Sequence, residues 1–408
     1  MQAKVVYAGS RNTSYSEAAD NLRELMDLTI SDKEVRRVCK PIGAERCVER
    51  DAATAAYEAL PLVERKGVPD GVTAPDLAVV GVDGGRLQVI DAADDDDDDA
   101  DANDADDRAG CPNNGRHWRE DKIGLLMTMT SDEHEADPEI PETFVDSLRI
   151  LKLTRDLKTR SAKRDAAEEE SAESEESTEE APEWKPPKVK AKSLVATRRP
   201  WLAFALMAAA AAWQKGFYGA ARKAFLGDGA AANWTLWRNH FSSFEPILDF
   251  IHALSYVFAA ALAGREFADG WACYVRWIAA VWQGRVDEVI AALTERQSEL
   301  GMWETSDPAT APRRIVGRAL EYLRNNREQM KYAEYRRAGL PVVSSYVESA
   351  VKQFNNRVKG SEKFWTEDGA EEMLQLRGDQ LSDDRPLDAF WQRRSAKATG
   401  QRVYRKAA

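Results

Sequence analysis

Up to about residue 250 the apolar residues of this chain fall into short, separated runs. From Ile251 to about Arg337 they recur at helical spacing almost without a break. A run of that length is too long for a connection inside a sheet domain. It reads as an all-helical domain, residues 251–337, set into a chain of another kind. Helices are expected at 252–263, at 268–300 with a break near Gly284, and at 312–336.

What precedes the run is mixed. Leu77 to Ile90 alternates and is rich in valine, which predicts a strand, a turn at Gly84-Gly85 and a returning strand. Lys122–Thr130 and Ser193–Thr197 are further strand candidates. Trp201 to Ala221 is Ala-rich, follows Pro200 and contains no proline, so a helix is expected there. Strand Arg222–Leu226, helix Ala230–His240 and strand Phe244–Phe250 complete the series. This order predicts an α/β fold, a mixed sheet with helices on each face, with residues 75–250 as its first part. After the helical run, GLPVVSS is extended. A helix over Tyr346–Lys359 and more helix to about Arg394 then return the chain to that core, residues 338–394. Ahead of it, residues 12–60 read as a small helical segment, with Tyr15–Leu25 as one helix and a capping box, Ser31 with Glu34, opening the next. That is the outline of a helix-turn-helix, and equally of any helical hairpin.

The net charge of −12 over 408 residues is unevenly spread. Asp91–Asp107 is nearly all Asp and Ala, and Glu168–Glu183 nearly all Glu, Ser and Ala. Such stretches bury nothing, so 91–117 and 160–187 are expected to be disordered acidic insertions. From Arg313 onward Lys and Arg outnumber Asp and Glu, so total charge does not exclude a nucleic-acid partner. Cys39, Cys47, Cys111 and Cys273 have no zinc-ligand spacing and read as free thiols. The start MQAKVVYAGS has no apolar core of signal-peptide length, and Trp201–Trp213 is too short to span a bilayer. A cytoplasmic protein is expected.

Three carboxylates stand in distinctive settings: Asp83 in VVGVDGG, Asp228 in AFLGDGAAANW, and Glu348 at the start of a helical pattern in SSYVESAVKQF. Two Asp at strand ends and one Glu on a helix supply the hard oxygen ligands that Mg2+ or Mn2+ prefers. A pair of such ions roughly 4 Å apart neutralises the attacking and leaving oxygens of a phosphodiester. Each residue also has a plain reading, as a turn for Asp83 and Asp228 and as a first-turn helix residue for Glu348. Asp249 and His252, in DFIH, are one helical turn apart, which brings imidazole and carboxylate together. Lys352, Arg357, Lys359 and Lys363 surround the Glu348 helix as phosphate contacts or as an ordinary solvated basic face.

Many segments resemble one family in the same order: VDGGRLQ, WREDKIGLLMTM, RRPW, FLGDGAAANWTLWRNHF, FEPILDFIHALSYVFAAA, YLRNN, YAEYRRAGLPVVSSYVES and VKQFNNRVKGSEKFW. They resemble bacterial insertion-sequence transposases of the Kra type, related to the Mutator-like group of DDE transposases. The resemblance runs from about residue 10 to 405, apart from the two acidic stretches. It implies a ribonuclease H-like core interrupted by an all-helical insertion. It implies Asp83, Asp228 and Glu348 as catalytic, metal-holding carboxylates with two Mg2+ or Mn2+ ions. Asp249 and His252 fall on the family's (Cys or Asp)-x-x-His motif, and Arg357 on a common basic position. The implied partners are double-stranded DNA, both element ends and target, and a second copy of the chain in a homodimer or larger assembly. The implied activity is strand cleavage and strand transfer; the alternatives are an inactive DNA-binding remnant and a host metal-dependent nuclease. Family members often carry a longer N-terminal region for recognising element ends. The Asp-rich insertion is a second departure and would repel DNA if it lay over the cleft.

Overall fold

The computed structural model describes residues 1–90, 116–162, 185–360 and 363–396. Both acidic runs, Cys111 and the last residues lie outside this set. The chain begins with helices α1 (Gln2–Arg11), α2 (Tyr15–Met26), α3 (Asp32–Ala59) and the single turn α4 (Leu62–Arg65). The sheet and its helices follow: β1 (Leu77–Ile90), β2 (Arg116–Thr130), α5 (Ser147–Ala162), β3 (Lys188–Thr197), α6 (Trp201–Gln214), β4 (Arg222–Gly227), α7 (Ala231–His240) and β5 (Glu245–Leu248). Then come α8 (Phe250–Leu262), α9 (Phe267–Trp282), α10 (Val286–Leu300), α11 (Pro312–Asn325) and α12 (Tyr332–Arg337). The chain closes with α13 (Ser345–Val358), β6 (Phe364–Trp365), α14 (Glu367–Leu381) and α15 (Pro386–Ala396).

The sheet is mixed, in the order β3-β2-β1-β4-β5, with β6 also on β1. β1–β2 and β2–β3 are antiparallel; β1–β4, β4–β5 and β1–β6 are parallel. β1 is the central strand because its first half is apolar on both faces: Leu77, Ala78, Val79, Val80 and Val82 are all buried. α6 covers one face, Phe204 closing on Gly124, and α13 covers the other, Val347 closing on Gly81. The Ala-rich stretch 201–214 is thus a buried helix, and no helix among the described residues is long and apolar enough to cross a membrane.

Several expectations are corrected. Gly84 and Gly85 do not form a turn: β1 runs straight through them and pairs with β2 along its whole length. β2 begins at Arg116, not Lys122, and β3 at Lys188. Helix α3, the one opened by the Ser31–Glu34 capping box, is 28 residues long and passes through Pro41. The helical run has the expected break at Gly284, where φ is +76°. It does not form a core of its own: buried residues of α8–α12 join those of the sheet in one contiguous cluster. Part of the junction is aromatic, with Phe250 edge-on to Phe144, Trp282 and Tyr332 at ring-centroid distances of 5.1–5.2 Å. Arg336, fully buried, lies 3.6 Å over the Trp282 ring and donates to Asp137 and to the Trp282 carbonyl, each at 2.8 Å.

A satellite core joins the two ends of the chain. Val5, Val6, Leu22, Val35 and Ile42 pack with Leu376, Leu387 and Phe390. Arg46 donates to Asp379 at 2.8 Å, and Arg377 donates to the Ser10 and Arg11 carbonyls at 3.0 Å. The Arg377 guanidinium satisfies carbonyls that the end of α1 leaves open.

Candidate functional site

On the edge of β1 away from β2, residues 77–81 pair with β4 and residues 88–89 with β6. Between them no described strand flanks that edge, and Asp83 lies in this gap. Asp228 follows the last residue of β4, and α13, crossing the same region, carries Glu348. Burial, then the charge of Asp228 and further the charge of Glu348, push the Asp83 carboxyl up to about 6; the Gly84 N–H and His252 oppose the rise. Oδ1 of Asp83 accepts that N–H at 2.7 Å. Of the three acids that sequence reasoning picked out, two thus act on the third, Asp83, across the fold.

Asp228 is held by its own loop. Its Oδ1 accepts from the Ala230 N–H at 2.9 Å and from Asn233 Nδ2 at 2.8 Å. Its carbonyl accepts from the Tyr322 hydroxyl at 2.7 Å, and Tyr322 is stacked on Tyr256 with centroids 3.8 Å apart. Glycine is required next: Gly229 has φ +92°, and a Cβ there would lie 2.8 Å from the Tyr322 ring. The helical region therefore clamps the Asp228 turn directly.

Asp249 is a buried junction. Its N–H donates to the Gly227 carbonyl at 2.9 Å, beside Asp228. Its Oδ1 caps α8 at the Ile251 N–H, 3.3 Å, and accepts from the Ser344 N–H, 3.0 Å, at the start of the Glu348 helix. Its Oδ2 meets His252 Nδ1 at 2.7 Å, as the one-turn spacing predicts. Burial alone would raise the Asp249 pKa, but its bonds to His252 and Ser344 hold it below the ordinary carboxylate range. Burial likewise works against a charged His252; the Asp249 bond and the charges of Asp228 and Asp83 outweigh it and raise the imidazole to about 9. An imidazolium thus faces the acids.

Glu348 opens into a cavity of about 390 Å³ shared with Arg149, Lys152 and Lys352 and walled by Phe144, Leu153, Ile251 and Val343. Arg149 and Lys152 were not anticipated. They come from α5, whose start is fixed by Asp146 accepting the Leu148 and Arg149 N–H groups at 2.9 and 3.0 Å. Lys359 lies 5.8 Å from the Trp118 ring centroid, and Lys363 donates to the Asn356 carbonyl at 2.8 Å. Arg357 does not join this basic surface. It is buried, 4.4 Å from the Tyr15 ring centroid, and donates to the Gly9 carbonyl at 2.9 Å, so it anchors the N-terminal helices.

Sequence reasoning also missed Asp121. It pairs with Gly85 across β1 and β2, is fully buried, and neither of its oxygens has a hydrogen-bond partner. Burial, with Asp83 adding to it, pushes its carboxyl up to about 7; its own backbone N–H first, then Lys122 and Lys359, oppose the rise. Alternation from Ile123 through Met129 places residue 121 on the inward face, a signal lost by starting the strand at Lys122.

As they stand, no three His, Cys, Asp or Glu side chains among the described residues converge closely enough to hold a metal ion. The donors nonetheless fit a hard divalent cation: mutually repelling carboxylates, one with both oxygens unpartnered. The chain matches no protein-family model and no curated protein.

Proposed function

We propose that this chain is a DDE transposase: a metal-dependent enzyme that cleaves DNA at the ends of an insertion sequence and joins the freed end to target DNA. Its core is ribonuclease H-like, with the helical region inserted before the last catalytic residue. The observation that carries this reading is that burial, with the charges of Asp228 and Glu348 from distant parts of the chain adding to it, raises Asp83 on the central strand. The strand order β3-β2-β1-β4-β5 is in keeping with such a core.

Asp83, Asp228 and Glu348 would hold Mg2+ or Mn2+. When bound, such ions activate the attacking oxygen and neutralise the charge developing on phosphorus and leaving group. Asp249 fixes the Asp228 turn and the start of the Glu348 helix relative to each other. Arg149, Lys152 and Lys352 draw phosphates towards Glu348. The exposed Lys33, Arg36, Arg37 and Lys40 of α3 offer the helical hairpin a basic face for duplex DNA. A larger cleft of about 840 Å³ carries Arg86, Arg119, Lys122, Arg198 and Arg199, but is partly self-neutralised, as by Arg198 on Glu367 at 2.6 Å. In cleavage, a water oxygen bonds to phosphorus and the P–O3′ bond breaks, leaving a 3′-hydroxyl. The oxygen of that hydroxyl then bonds to a target phosphorus and the target's P–O3′ bond breaks, so that the target strand's 3′-oxygen leaves and takes up a proton as a hydroxyl. Double-stranded DNA and a second protein copy are the partners.

The test is strand nicking and joining by the full chain with Mg2+ or Mn2+ on DNA bearing the element's ends. Asp228→Ala should abolish both and keep the wild-type circular dichroism. Undiminished joining by that variant would refute the assignment.

A further inference from the structure

Asp121 occupies a place where a carboxylate has no reason to be if nothing binds it. It is fully buried, and neither oxygen accepts a hydrogen bond from any other residue; only its own backbone N–H acts on the carboxyl. A buried ionised group without a partner is strongly unfavourable. Its surroundings narrow what is missing. A Cβ on Gly85 would lie 2.9 and 3.0 Å from the two Asp121 oxygens and 3.3 Å from Asn355 Oδ1. Asn355 Oδ1 is also buried without a partner. Three acceptor oxygens from β2 and α13 therefore border the space that glycine leaves open on β1, and none is hydrogen-bonded to another residue. An all-acceptor lining calls for a cation.

Asp83 is the diagonal neighbour of Asp121 on the same face of the ladder. It lies opposite Ile123, two residues along. Such neighbours are roughly 7–8 Å apart, within reach of one ion or a bridging water. We propose that Asp121, with Asn355 and over Gly85, forms a fourth, previously unassigned carboxylate ligand site for a divalent cation, adjoining Asp83. The proposal shares with the transposase reading the divalent ion and the neighbouring Asp83, but it stands on the geometry of Asp121, Asn355 and Gly85. The glycine is part of the device: any side chain at residue 85 would fill the site.

Mn2+ binding to the full chain, counted from the electron paramagnetic resonance of the free ion, tests this. Asp121→Asn should remove one bound ion or weaken binding at least tenfold, and in EDTA should melt no lower than wild type. Gly85→Ala, which keeps every carboxylate, should weaken Mn2+ in the same direction. Asn355→Asp should tighten it by adding a charged ligand. An Asp121→Asn protein that binds as many ions with affinity within twofold of wild type overturns the proposal. So does an Asn355→Asp protein that melts lower without altered Mn2+ binding, because the Asn355 amide would then be donating to Asp121. A wild-type chain that never nicks DNA, yet loses an ion on Asp121→Asn, refutes the transposase reading and leaves this site standing. Retained ions in an Asp121→Asn protein from a chain that nicks do the reverse.

Discussion

Gly81→Ala probes whether the packing of α13 on β1 sets the position of Glu348. A Cβ at residue 81 would stand 2.4 Å from Val347 Cγ2, whereas ordinary contact begins near 3.4 Å. Val347 is buried and adjoins Glu348 on the same helix, so relief requires α13 and the strand to separate by about 1 Å. Overpacking of this kind costs about 1–3 kcal/mol. A misplacement of about 1 Å at a reacting centre costs on the order of 10²-fold in rate. The variant should therefore melt a few degrees lower by calorimetry, while divalent-dependent DNA nicking falls far more than stability does. The second-site change Val347→Ala removes the clashing methyl and should restore most of the rate, giving a favourable coupling of about 1–2 kcal/mol. Nicking within twofold of wild type in Gly81→Ala, or purely additive effects in the double variant, would refute the reasoning.

Asp249→Ala removes a helix cap, the Ser344 acceptor and the partner of the half-buried His252 imidazole together. A loss of about 3–5 kcal/mol is expected in urea unfolding; a loss under 1 kcal/mol would mean that the junction is not what ties α13 to β5. Glu372 on α14 closes on Gly43 of α3, and burial first, then Asp368, raises its carboxyl to about 7 from 4.5, against Lys40 and Arg36. The folded state then holds a proton that the unfolded chain releases, so this contribution is present below pH 4.5 and is lost as pH rises through 7. The melting temperature of Glu372→Gln relative to wild type should climb across that window and level off above it; a flat difference from pH 5 to 8 would contradict the shift.

The central strand, the alternation of strand and helix, and the Asp249–His252 contact were legible because each is written in a local period or spacing. The Gly84-Gly85 pair was not, since two glycines serve equally as a turn and as a gap for a neighbour. Only the pairing with β2 decides for the gap, where Asp121 and Asn355 crowd in. Arg357 looked like a surface cation because sequence shows its charge and not the Tyr15 and Trp365 rings beside it. The helical run announced its helices, but not that they share the sheet's core and hold Asp228 through Tyr322. Arg149 and Lys152 meet Glu348 only through tertiary packing.

The satellite core bears on how the protein is made. Arg46 and its partner Asp379 are 333 residues apart, and the Arg377–Ser10 bond spans 367. At roughly 5–20 residues per second, a ribosome delivers α14 on the order of 15–70 s after α3. For that interval the inward sides of α1 to α3 have only one another, and Val5, Val6, Val35 and Ile42 lack the seat that Leu376, Leu387 and Phe390 later supply. The nascent chain thus offers chaperones an apolar helical face until its final stretch emerges. A message cut short before residue 367 would yield a protein whose opening segment has nowhere to dock.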